Sequence, residues 1–299
     1  MKKMLSFHPI TIADREAVQT VTLRAGRRNC NYTFANLVGW QFWFHTEVCV
    51  LADTVVLRFT FDGKRAYMVC TAGALPTELA EALLDDSGGN LTILGLEDDQ
   101  VEFADASASH PWTHLHIGAS KQRNQYDYIY LRSALAALQG GPLKAKRNHV
   151  NRFRAEHPGF EYRPLTPDLF DECRRLTASW AEEKAAGETI NAEHRVMETV
   201  FAHWDELDMI GGSIIAEGRM VAFTYGSAVT DDTFDVCVEK ADRHVEGAFA
   251  IVNQQLAEHL PERYVYLNRE EDMGIPGLRK AKLSYHPEIL LSYNVLHMR

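Results

Sequence analysis

The stretch Tyr264–Pro287, YVYLNREEDMGIPGLRKAKLSYHP, concentrates more chemistry than any other part of this 299-residue chain. A run rich in aromatic and β-branched residues ends at Asn268, and three acids follow at once: Glu270, Glu271 and Asp272. Gly274, Pro276 and Gly277 then force a sharp connection into a short helix carrying Arg279, Lys280 and Lys282. Carboxylates at a strand end can act as general bases, and cations just beyond them can hold a phosphate or a developing oxyanion. A charged loop closed by its own salt bridges would use the same residues, and this segment alone leaves both readings open.

A second concentration of charge runs from Lys144 to Arg154, with Lys144, Lys146, Arg147, Arg152 and Arg154 and no acid. On a chain of formal net charge −10, local basic patches suit a specific phosphate ligand better than bulk polyanion binding. Two solvated helix faces are the plainer alternative. Other chemistries lack their residues. There is no Gly-x-x-x-x-Gly-Lys loop, no Gly-x-Gly-x-x-Gly and no Gly-x-Ser-x-Gly elbow. His110, His114 and His116 crowd together without a further ligand nearby, so no metal is expected there; His114 and His116 are expected on one face of a strand.

The elements that must position these residues occur twice. Phe7-His8-Pro9-Ile10-Thr11 recurs as Tyr162-Arg163-Pro164-Leu165-Thr166, and each copy leads into an amphipathic helix, Asp14–Arg28 in one half and Asp168–Ala186 in the other. Strand candidates follow at Val48–Ala52, Val55–Phe61 and Arg65–Thr71, and again at Ser213–Glu217, Met220–Ala228 and Thr233–Glu239. Each set runs into a helix (Thr77–Leu84; Gly247–Leu260) and one more apolar strand (Leu91–Leu96; Tyr264–Asn268). Between the copies lie a tyrosine-rich strand, Tyr126–Leu131, a short helix, Ser133–Leu138, and the basic segment as another helix. The final stretch, Glu288–Met298, reads as one strand. Consecutive hairpins mixed with helices predict an α+β fold of two domains, 1–120 and 121–299, the second including the basic connector 121–160. The halves differ in their polar residues: Gly95-Leu96-Glu97-Asp98-Asp99 has no glycine turn and no basic helix after it, which places the chemistry in the second half.

Composition agrees with a soluble globular protein, at 46% hydrophobic and 24% charged residues. No apolar run suits a membrane span and no signal peptide is read at the N-terminus, so the expected location is cytoplasmic, with peripheral membrane contact left open. The five cysteines are scattered and odd in number, which predicts free thiols and no disulfide framework.

The pattern Asn268-x-Glu270-x-Asp272-x-Gly274-x-x-Gly277-Leu278-Arg279-x-x-Lys282-x-x-x-x-Pro287 resembles the C-terminal catalytic domain of phosphatidylglycerol lysyltransferases, and more closely its stand-alone relatives, long grouped as a domain of unknown function. Asp127-Tyr128-x-Tyr130, Leu135, Leu138, Lys146-Arg147-Asn148 and Phe153 agree, as does Tyr32-Thr33-Phe34-Ala35-Asn36-Leu37. The resemblance spans essentially the whole chain. It implies tandem acetyltransferase-like (GNAT-like) domains, each a mixed, mostly antiparallel sheet flanked by helices, and an acyl-transfer enzyme. The membrane domain of the full lysyltransferases is not part of this sequence, which puts a lipid acceptor in doubt.

On that resemblance the expected reaction moves an aminoacyl group from a charged tRNA to an amine or hydroxyl. No cofactor is expected to be permanently bound; the donor is aminoacyl-tRNA or an acyl-coenzyme A. Asp272 or Glu270 would take the proton. Arg279 and Lys282 would bind the donor's terminal phosphate region or the oxyanion. Lys146, Arg147 and Arg152 would meet donor phosphates further out, with Asn268 beside the donor. The alternatives are a coenzyme A-dependent N-acyltransferase and a non-catalytic phosphate-binding module. For coenzyme A the pyrophosphate loop falls at Arg243, His244 and Gly247, where His244 replaces the usual Arg or Gln and Phe249 the usual small residue.

Overall fold

The computed structural model describes residues 5–61, 63–73, 75–101, 117–183 and 188–299. His110, His114 and His116 lie outside them. In chain order the strands are β1 (His8–Pro9), β2 (Glu47–Val50), β3 (Thr54–Phe61), β4 (Lys64–Thr71), β5 (Leu91–Leu96), β6 (Ile117–Lys121) and β7 (Asp127–Leu131), then β8 (Glu161–Pro164), β9 (Ile210–Ala216), β10 (Arg219–Ala228), β11 (Thr233–Ala241), β12 (Tyr266–Asn268), β13 (Ile289–Leu291) and β14 (Asn294–Met298). The helices are α1 (Arg15–Ala25), α2 (Phe34–Gly39), α3 (Gln41–Phe44), α4 (Thr77–Asp86), α5 (Arg132–Ala137), α6 (Lys144–Glu156), α7 (Phe170–Glu183), α8 (Glu188–Ala202), α9 (Ala248–His259) and α10 (Pro276–Leu283).

They form two seven-stranded sheets, ordered β1-β2-β3-β4-β5-β14-β6 and β8-β9-β10-β11-β12-β7-β13. Among the described residues one pairing in each is parallel, β4 with β5 and β11 with β12. The two orders are equivalent, with one reciprocal exchange: β14, from the end of the chain, completes the first sheet, and β7, from its middle, completes the second. This is a mixed, mostly antiparallel α+β architecture built twice, as the sequence duplication predicts.

The expected single strand at Glu288–Met298 is a correction. It is two strands in different sheets, with β13 on β7 and β14 between β5 and β6. The chain passes between sheets at Ser292 and Tyr293. Ser292 Oγ takes a hydrogen bond from Asp98 N, and the Tyr293 carbonyl one from Gln122 N. Asn294 anchors the new strand by donating to Leu96 O and Asp98 Oδ1. An apolar alternating pattern reads the same whichever sheet receives it.

Helix ends follow local chemistry. Gly26, at φ 72°, stops α1 three residues before the sequence pattern suggests, in a conformation glycine adopts without a Cβ penalty. Helix α8 is an element the sequence reading missed, although Ala192, Val196, Met197, Val200 and Phe201 are buried at helical spacing. These residues help fuse the halves. One apolar cluster takes Val21, Phe34 and Leu57 from the first half and Phe170, Val196, Phe201 and Tyr225 from the second. Among the described residues no helix is long and apolar enough to cross a membrane.

Candidate functional site

Parallel pairing of β11 with β12 stops at Asp235 and Asn268, and the acidic loop leaves the sheet there. Its shape depends on left-handed backbone at Glu270 (φ 56°), Met273 (φ 53°) and Gly274 (φ 75°), and Pro276 then starts α10 with its fixed φ. Asp272 holds this turn. Its carboxylate accepts from Arg279 Nε and Nη2 (both 2.8 Å), Arg123 Nη1 (3.1 Å), Tyr128 Oη (2.6 Å) and Gly274 N (2.8 Å), and it is fully buried. Burial alone would raise its pKa, but these donors outweigh it and hold the acid well below the usual carboxylate range. Such a group is a poor proton acceptor near neutrality. Asp272 and Arg279 thus meet each other instead of facing a cleft.

The other carboxylates converge on the end of β12. Asn268 is fully buried and saturated, donating to Arg28 O (2.7 Å) and Asp127 Oδ2 (2.8 Å) while accepting from Glu270 N (2.7 Å). It sets the positions of Asp127 and of the Glu270 backbone. Asp127 also receives Cys30 N (2.7 Å) and the Cys30 thiol (3.3 Å), and Cys30 Sγ lies 3.8 Å from Glu271 Oε2. On the β11 side, Asp235 Oδ2 accepts from Thr33 Oγ1 (2.7 Å) and Asn36 Nδ2 (3.1 Å), and the same Asn36 amide reaches Glu270 Oε1 (3.0 Å). Asp127, Asp235, Glu270 and Glu271, together with the thiols of Cys30 and Cys237, therefore share one acidic chamber at the seam between the halves.

Burial and mutual repulsion favour protons on Asp127, Asp235 and Glu270. Asp127 is pushed up to about 6 by burial and then by Glu271. Glu270 is raised well above its ordinary value by burial and by Asp235, and Asp235 by burial and by Asp127. Asp127 and Asp235 are buried, whereas Glu270 and Glu271 are partly exposed.

Positive charge lies beneath the loop. Lys282, nearly buried, donates from Nζ to the carbonyls of Arg269 (2.5 Å) and Glu271. Burial lowers its pKa, while Glu270 and Glu271 oppose that shift. Arg269 pairs with Glu239 at 2.8 Å and lies over the Tyr285 ring at 4.7 Å; Lys146 Nζ sits 4.1 Å from the same ring. Helix α6 thereby brings Lys146 beside Arg269.

The remaining basic residues are not brought to this place. Arg147 donates to Leu138 O (2.5 Å) and Gly140 O (3.2 Å), capping the end of α5. Arg152 is exposed and paired with Glu156 (2.8 Å) and Glu246 (2.7 Å). At the start of α9, the His244 backbone N–H donates to Asp242, next to Arg243. Gly247 is backed by α6: an added Cβ would lie 2.6 Å from His149 O and 3.0 Å from Phe153 Cβ. Glycine there has a packing reason independent of any pyrophosphate.

In the first half, the matching acids are closed off. Arg27, buried, binds Glu97 (3.2 Å) and Asp99 (3.1 Å) and also donates to Thr71 O. The asymmetry between the halves is thus that Arg27 ties up the acids of the first, whereas in the second only Asp272 is ion-paired within the loop and Glu270 and Glu271 are left partly exposed.

The sequence matches the family described as phosphatidylglycerol lysyltransferase, C-terminal, over residues 24–296. The chain belongs to this family. A conserved protein of unknown function from Bacteroides thetaiotaomicron is 37% identical, with a TM-score of 0.91, covering 99% of this chain and 100% of its own. A domain assigned to the C-terminal part of a lysylphosphatidylglycerol synthetase of Agrobacterium fabrum is 15% identical with a TM-score of 0.63, covering 96% of this chain and 92% of its own. L-PGS from Bacillus licheniformis is 12% identical with a TM-score of 0.57, covering 85% of this chain and 84% of its own. These last two share the fold. No functionally curated protein matches the sequence.

Within this phosphatidylglycerol lysyltransferase C-terminal family member, the sequence reading found the acidic loop and Lys282 but missed much of the chamber. Cys30, Asp127, Asp235 and Cys237 lie far apart in the chain and converge only through tertiary pairing. Asp127 stood inside a recognised pattern; the others carried no local signal except burial-prone neighbours.

Proposed function

We propose that the chain transfers an aminoacyl group from aminoacyl-tRNA to an amine or hydroxyl acceptor, with the chemistry at the end of β12. The observation that carries this reading is the placement of two partly exposed carboxylates, Glu270 and Glu271, against Lys282 on the other side of one short loop. The acceptor's N–H or O–H attacks the ester carbonyl of the donor. A bond forms from the acceptor atom to the carbonyl carbon, and the carbon–oxygen bond to the tRNA ribose breaks. The acceptor proton passes to Glu270, whose carboxyl burial and Asp235 make readier to hold a proton than an ordinary glutamate, and is handed on to the ribose oxygen, which leaves as a hydroxyl, with Glu271 beside it. Lys282 supports the loop from below and supplies the positive potential for the oxyanion. Lys146 and Arg269 provide the neighbouring cationic surface for donor phosphate. Holding both substrates there needs no covalent enzyme intermediate.

The packing of α6 on Gly247, with Glu246 already bound to Arg152, weighs against a coenzyme A pyrophosphate at the usual loop. The deciding experiment mixes the purified chain with charged tRNA and with acetyl-coenzyme A separately, at two salt concentrations. Saturable tRNA binding that weakens with salt, and release of labelled amino acid to added amines or alcohols that slows in Glu270→Gln and Glu271→Gln, supports the proposal. Binding of acetyl-coenzyme A alone would replace it with the acyl-coenzyme A reading.

A further inference from the structure

Acyl transfer leaves one side of the chamber unexplained. Asp235 is fully buried, yet its Oδ1 has no hydrogen-bond partner among the described residues. Its other oxygen is occupied by Thr33 and Asn36, and Asn36 pins Glu270 Oε1 alongside. Cys237 Sγ stands 3.6 Å from Asp235 Oδ2. One ligand atom each from Asp235, Cys237 and Glu270 lies within 4.8 Å of the other two. The adjacent strand adds Tyr225 and Ser227, whose hydroxyls are also buried and have no hydrogen-bond partner among the described residues; Ser227 pairs directly with Asp235 across β10 and β11.

We propose that Asp235, Cys237 and Glu270 bind a divalent cation of the zinc class. Two carboxylates side by side in a buried place must share a proton or a cation, and an orphaned oxygen is what a missing cation leaves behind. A tetrahedral zinc with bonds of about 2.3 Å to sulfur and about 2.0 Å to oxygen spaces those ligands about 3.5 Å apart, a spacing that fits inside the 4.8 Å within which the three ligand atoms lie. A thiolate among carboxylates selects zinc, cobalt or ferrous iron over magnesium or calcium, whose preferred ligands are all oxygen. Binding would displace the thiol proton into solvent.

The neighbouring set Cys30, Asp127 and Glu271 meets the same distance criterion. It is the weaker candidate, because both Asp127 oxygens already receive donors from Cys30 and Asn268. A cation on Glu270 leaves Glu271 as the carboxylate open to the acceptor. The cation site does not depend on the transfer reading, and its test uses neither tRNA nor acceptor.

The full chain, freed of metal with a chelator, is titrated with cobalt(II) and then with zinc. The expected result is one saturable equivalent, a near-ultraviolet thiolate-to-cobalt band that zinc removes, and a Tm that climbs with zinc concentration. Cys237→Ser should abolish the band, Asp235→Asn should weaken binding more than about tenfold, and Cys30→Ser should leave both unchanged. Absence of saturable binding to the wild-type chain overturns the proposal without reference to any variant. So does a band that survives Cys237→Ser and disappears in Cys30→Ser, since that places the ion on the neighbouring set. Circular dichroism of each variant separates loss of a ligand from loss of the fold. Transfer measured on the same preparations fails or succeeds independently of cobalt binding, so the two readings fall separately.

Discussion

The Asp272 carboxylate and the Arg279 guanidinium are joined by two 2.8 Å hydrogen bonds, one from Nε and one from Nη2. The pair fixes the acidic loop against α10, so Asp272→Asn should loosen that loop and cost about 2 kcal/mol. Because the folded pKa of Asp272 is depressed, its contribution to stability is present above the unfolded carboxylate value and is lost as pH falls through the folded one. Urea unfolding from pH 7 downward should show a steeper acid loss in the wild type than in Asp272→Asn. Parallel curves would contradict the assignment.

Asp127 has the opposite sign. Its folded pKa, about 6, lies above the unfolded value, so between the two the native state binds more protons and stability declines as pH rises. Asp127→Asn should flatten the stability profile between about pH 4 and 6. Transfer, in contrast, should rise with pH as Glu270, held above its ordinary value, gives up its proton; a rate that falls as pH rises would reverse the proton assignment.

Gly226 lies where β10 crosses the Asp235 backbone, and a Cβ there would fall 1.7 Å from Asp235 O. Gly226→Ala should destabilise the chain by about 2–3 kcal/mol through overpacking and displace Asp235 from its partners. Thermal melting measures the first effect. Retention of wild-type stability would mean that β11 yields more easily than its pairing suggests.

Lys146 and Arg152 sit on the same helix but have different surroundings. Lys146 faces the Arg269–Tyr285 edge of the site, whereas Arg152 is committed to Glu156 and Glu246. Lys146→Ala should weaken tRNA binding and lower the salt slope by about one, and Arg152→Ala should do neither. Equal effects from both would point to a diffuse basic surface.

What the sequence made legible was whatever a short window contains. The hairpins of β2–β4 and β9–β11 announce themselves by apolar runs and turns, and the Asn268–Lys282 segment carries its acids, glycines and lysine together. The chamber was not legible because its walls are non-local: Thr33 and Asn36 reach Asp235 across the seam, and Cys30 reaches Asp127. Nor does a list of charges reveal engagement. Arg147 and Arg152 look equivalent to Lys146 in sequence, and only packing shows that one caps a helix end while the other is held in ion pairs.

The exchange of β7 and β14 also sets an order of events during synthesis. The second sheet receives its exchanged strand early, since β7 precedes the rest of that sheet in the chain. The first sheet cannot join β5 to β6 until Asn294–Met298 has been made. The half that leaves the ribosome first is thus the last to close, and a chain terminated only a few residues early would expose the edges of two strands nearly two hundred residues upstream.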